Sequence, residues 1–126
     1  MAVVRSPDKL VKLFAPKEYW QLTPSGKADI CNGCGSSLAT FDFIPDRIWG
    51  LVITEVCNIH DLMYLLGTTE EDKIEADLVM LINLIILIND YGGFLEILRY
   101  SRAMKCYQAV HFKGAASFWM GKERHH

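Results

Sequence analysis

Read as apolar and polar positions, the chain divides near residue 54. Before it, hydrophobic residues come in short clusters without a sustained period; after it, they recur at three- and four-residue spacing almost to the end. The second part predicts four helices. One runs over 54–66, with Thr54 as its cap and Gly67 as its stop. The next opens on a capping box of Thr68 with Glu71 and runs to about Asn89, before Tyr91-Gly92-Gly93. A third covers 94–112 and a short fourth 115–120. Near the N-terminus, Ser6-Pro7-Asp8 reads as a further helix start, serine as cap and proline in the first turn, opening a short amphipathic helix to about Phe14. Residues 15–53 hold three of the four prolines and predict a long irregular segment, with room for a short strand pair or a helical turn. The expected fold is all-α and a single domain over 1–126, with N- and C-terminal helices around two central ones and one large loop.

The two central helices are joined by a residue or two, which predicts antiparallel packing. Counted back from Gly67, His60 lies about 10 Å up its helix; counted forward from Thr69, Asp77 lies about 12 Å up the next. They come level. Asp77 is also the last charge before the apolar stretch 78–82, so it is expected to be at least partly buried, and a buried carboxylate needs a partner. The imidazole of His60 is the obvious one. Within its own helix, His60 shares a face with Tyr64, is flanked by Cys57, and has Asp61 turned about 100° away.

Composition narrows the alternatives. At 126 residues, half of them hydrophobic and 22% charged, the chain can bury a core and does not read as disordered. A net charge of −2 and a pI near 6.0 give no reason to expect nucleic acid. Charge is uneven, however: residues 94–126 carry a net of +4 and the first 93 a net of −6. A solvated helix face is the expected meaning of Arg99, Arg102 and Lys105, ahead of contact with an anionic surface. His111 is expected to be structural. Leu10, Val11, Phe14, Tyr19 and Trp20 are expected to cover the helical core, ahead of forming an interface-docking rim. The apolar run 78–88 contains Asn83 and is too short to span a bilayer, so it reads as a buried helix. The N-terminus lacks the apolar core of a signal peptide, which leaves a cytoplasmic or membrane-peripheral address as the default expectation. Cys31-Asn32-Gly33-Cys34 is a C-x-x-C, but no second pair follows to complete a zinc site, and its neighbours indicate a loop rather than a redox motif.

The pattern Cys57-x-x-His60-Asp61-x-x-Tyr64 resembles the active-site helix of the phospholipase A2 family. The likeness is closest to its small bacterial and fungal branch, on Asn32-Gly33-Cys34, Pro45-Asp46, Gly50 and the levelled Asp77. It covers about residues 30–80. The resemblance implies Ca²⁺-dependent cleavage of the sn-2 acyl ester of glycerophospholipids, at a phospholipid or micelle surface. It implies His60 as the base that activates water, Asp77 as its orienting partner and Tyr64 as support for the network. For the hard cation it implies oxygen ligands from Asp61, Asn32, Gly33 and Gly35, and it implies a disulfide between Cys34 and Cys57. Two departures stand out. The bacterial branch has an aspartate where Asn32 stands, so the implied calcium site lacks one charge. The secreted eukaryotic enzymes have cysteines where Val56 and Met63 stand, so their disulfide framework does not carry over. The alternative expectation is therefore a catalytically inactive relative serving as a lipid-binding or protein-interaction module.

Overall fold

A computed structural model describes residues 3–7, 11–26 and 47–122. Over these the chain is mostly helical, with two small antiparallel sheets. Strand β1 (Val3–Arg5) pairs with β2 (Phe14–Pro16), Val4 opposite Ala15, and leads into the single turn α1 (Lys17–Trp20). Strands β3 (Arg47–Ile48) and β4 (Leu51–Val52) form a second hairpin. Four helices follow: α2 (Thr54–Leu66), α3 (Glu70–Tyr91), α4 (Glu96–Lys113) and α5 (Ala115–Trp119).

The expected N-terminal helix is corrected. Among the described residues none before Lys17 is helical, and Val3–Arg5 pairs with Phe14–Pro16 as strands instead. β-branched Val3 and Val4 suit an extended backbone, and the Ser6 amide donates to the Leu13 carbonyl at 2.8 Å, next to the last paired rung. The decisive contact comes from far away. Buried Asn83 on α3 accepts from the Phe14 amide and donates to the Phe14 carbonyl, both at 2.8 Å, as a neighbouring strand would. Side-chain amides carry one acceptor and two donors, so one asparagine can serve both backbone groups of a residue.

Helix ends differ from expectation in instructive ways. Thr54 is the first helical residue; the cap is Ile53, without a side-chain bond. Gly67 ends α2 in an extended conformation, φ −66° and ψ 148°, so no left-handed turn requires a glycine there. Packing does: a Cβ on Gly67 would lie 2.6 Å from the Phe118 ring. The capping box of α3 is shifted by one residue, to Thr69 with Asp72. The Asp72 amide donates to Thr69 Oγ1 at 3.1 Å, and Asp72 Oδ2 accepts from the amides of Thr69 and Thr68 at 3.2 and 2.9 Å. The Thr68 amide is the chief reason that the Asp72 carboxyl sits below its usual pKa. At the far end, Gly92 and Gly93 adopt φ of 66° and 89°, which glycine alone tolerates cheaply, and α4 begins two residues later than the pattern suggested.

The core lies where α3 packs against α2 on one side and α4 on the other. Val56, Ile59 and Met63 of α2, Met80, Leu84 and Ile88 of α3, Val110 and Phe118 are all buried in this core. Tyr19 is buried, and Val11, Phe14 and Trp20 pack against the core, so this apolar N-terminal group covers it; Leu10 lies outside the described residues. No described helix is long and apolar enough to cross a membrane. Arg99 is not on a wet face. It is buried, donates to the Trp49 carbonyl at 2.6 Å and the Gly92 carbonyl at 3.4 Å, and lies over the Tyr91 ring. It thereby holds the two-residue turn of the β3–β4 hairpin, in which Trp49 and Gly50 both have positive φ, the geometry such hairpins favour. Arg102 and Lys105 are exposed as expected.

Candidate active site

Helix α2 offers His60 and Tyr64 one turn apart on its buried side, their ring centroids separated by 4.1 Å. Helix α3 brings Asp77, fully buried, against them. His60 Nε2 lies 2.8 Å from Asp77 Oδ1, and the Tyr64 hydroxyl donates to the same oxygen at 2.7 Å. The two residues that the count of helical turns placed level are in direct contact.

A third donor completes the carboxylate. Lys73, one turn before Asp77 on α3 and only 4% exposed, donates to Asp77 Oδ2 at 2.7 Å. Its ammonium also donates to the carbonyls of Val110 and His111, at 3.2 and 3.3 Å, in the last turn of α4. Burial works to raise the Asp77 pKa, but the hydrogen bond and charge of His60, then the hydrogen bonds from Lys73 and Tyr64, outweigh it and hold the carboxyl below its ordinary value. Asp77 is therefore an anion that only accepts, which requires His60 Nε2 to carry a hydrogen; in the neutral ring the basic lone pair is then on Nδ1. Tyr64 shifts the other way: burial first, and then the Asp77 charge, push its pKa up, so it remains a neutral donor.

The back of this cluster is closed by the C-terminal helices. Phe118 meets the Tyr64 ring edge to face at 5.2 Å. Gly114, between α4 and α5, leaves space for the Tyr64 hydroxyl; a Cβ there would overlap both that oxygen and the Val110 carbonyl. Lys122 donates to the Tyr64 carbonyl and lies over the Phe118 ring. Lys73, Gly114 and Phe118 all escaped the sequence reading. The one available signal was the four-residue spacing of Lys73 and Asp77 on an expected helix.

The remaining expected site residues stand as follows. Asp61 follows His60 on α2 and is partly exposed, an oxygen donor of the type a hard cation takes. Asn32, Gly33, Gly35 and Cys34 lie outside the described residues, as do Pro45 and Asp46. Among the described residues no group of three or more His, Cys, Asp or Glu could hold a metal ion. Cys57 is disulfide-bonded, its expected partner Cys34 lying outside the described residues, and Cys106 is a buried free thiol whose pKa burial raises. His111 is exposed, stacked on Tyr107, and contributes its backbone carbonyl to Lys73. In comparisons with known proteins, no family model, no curated protein and no solved structure matches this chain.

Proposed function

We propose that this chain is a single-domain, phospholipase A2-like ester hydrolase that cleaves the sn-2 acyl ester of glycerophospholipids, with α2 and α3 as an antiparallel pair carrying a His60–Asp77 dyad. The observation that carries this reading is the buried contact of His60 Nε2, Asp77 Oδ1 and the Tyr64 hydroxyl within a C-x-x-H-D-x-x-Y helix.

The chemistry follows from the hydrogen positions. Asp77 fixes the Nε2–H tautomer, so Nδ1 takes a proton from water as the water oxygen bonds to the ester carbonyl carbon. Collapse of the tetrahedral adduct breaks the bond to the glycerol oxygen, which recovers the proton from His60 and leaves as the lysophospholipid alcohol; the acid product is a free fatty acid. Ca²⁺, held by Asp61 with oxygens of Asn32, Gly33 and Gly35, would supply positive charge for the substrate phosphate and the oxyanion.

A second reading, a catalytically silent lipid-binding or protein-interaction module, is favoured by two observations: Asn32 carries no charge for a cation, and His60 is only 3% exposed. Calorimetry with Ca²⁺ and fatty-acid release from mixed phospholipid micelles distinguish the two. Calcium-dependent release that disappears in His60→Gln is the expected result. Full turnover in that variant would end the proposed mechanism, and calcium-independent micelle binding without release would establish the silent module.

A further inference from the structure

Long cationic side chains at a surface normally bury their stem and leave the charge in water. Lys73 does the reverse, running inward to the residue that orients His60. Its ammonium has three hydrogens and meets three acceptors: Asp77 Oδ2 and the carbonyls of Val110 and His111. Two of these belong to the C-terminal end of α4, where the helix dipole favours a positive charge. Asp77 Oδ1 is used by His60 and Tyr64 from α2, so each carboxylate oxygen is held by a different part of the fold.

We propose that Lys73 is a positioning residue for the dyad, fastening the second oxygen of Asp77 to the end of α4 so that the carboxylate face turned to His60 is set by three helices at once. The proposal rests on the reading of His60 and Asp77 as catalytic. An aspartate carboxylate rotates easily about its last torsion, where the energy wells are broad. Held through Oδ1 alone, it can tilt away from the imidazole plane and accept from His60 less directionally. With Oδ2 anchored, one orientation remains, and with it one histidine tautomer. The end of α4 thereby becomes part of the catalytic machinery although it contributes only backbone oxygens. Gly114, directly after it, belongs to the same arrangement, because it lets the Tyr64 hydroxyl reach Oδ1.

The test uses the full chain and the variant Lys73→Met, which keeps the side chain's length and removes its donors. Nitrogen NMR of the histidine rings is expected to show His60 as a single Nε2–H tautomer in the unmodified protein and as a mixture in the variant. In micelle assays the variant is expected to lose about tenfold or more in kcat with KM within about twofold, the pattern of a misoriented catalytic group rather than lost substrate binding. Introduced together with Asp77→Asn, Lys73→Met is expected to reduce kcat no further. An unchanged tautomer and kcat, or an equal loss in the Asp77→Asn background, would overturn the proposal. Absence of turnover in the unmodified protein would defeat the hydrolase reading, while the tautomer measurement still decides the role of Lys73. Should the variant not fold, the Lys73 ammonium signal of the unmodified protein decides: slow exchange with water supports the anchoring, fast exchange refutes it.

Discussion

The two ends of α3 invert the usual assignment of inside and outside. Near its start, a lysine and an aspartate are buried, 4% and 0% exposed, and nearly every hydrogen-bonding capacity of the pair is met. Just past its end, Phe94 is 93% exposed and Ile97 80%, beside a turn of two glycines in left-handed conformations. The contrast teaches that burial here follows partner supply as much as apolarity. A buried charge survives where donors and acceptors are matched in number, and an aromatic ring stays outside where a turn leaves nothing to pack on.

Removing a partner at the matched end is the harshest way to test that contrast. Asp77→Ala strands the Lys73 ammonium in the core and is expected to cost about 3–5 kcal/mol in urea denaturation. A smaller loss should come from crowding the same cluster without touching a charge. Gly114→Ala forces Tyr64 or the α4 terminus to move and is expected to cost about 1–3 kcal/mol, with loss of activity in parallel. Acid probes the same pairing more gently. The Asp77 and Asp72 carboxyls both have pKa values below their ordinary ones when folded, so their contribution is fully present above the ordinary aspartate value of about 3.9 and disappears as pH falls through the lowered folded values. The acid limb of a stability–pH curve measures this, and Asp77→Asn should flatten it. Least affected should be the other end: Phe94→Ser is expected to change stability by no more than about 0.5 kcal/mol, and a larger loss would show that the ring is packed after all.

Much of the second part of the chain was legible from periodicity, because long amphipathic helices repeat their signal over many turns. The contact of His60 with Asp77 could be found by counting rise from a short connection, since that connection leaves little freedom in register. Lys73 left no such mark, because a lysine four residues from an aspartate on a helix is ordinarily an exposed pair. The shift of the capping box reflects two overlapping frames, Thr68 with Glu71 and Thr69 with Asp72, of which only the second brings a carboxylate onto two amides. Gly67 and Gly114 look like helix stops in sequence, yet what demands them is a ring and a hydroxyl arriving from elsewhere. Arg99 shares its three-residue spacing with Arg102 and Lys105, but the Trp49 carbonyl that draws it inward belongs to a hairpin turn that no pattern around Arg99 reveals. The N-terminal strands were illegible for the same reason, being too short to carry a period of their own.

That last segment has a consequence for the order in which the molecule is made. The pairing of Val3–Arg5 with Phe14–Pro16 is completed by a side chain 69 positions downstream of Phe14, so during synthesis these strands leave the ribosome well before the helix that finishes them. Strands made before α3 complete their pairing only after it, and removing them would orphan the buried side-chain amide of Asn83 in the middle of that helix.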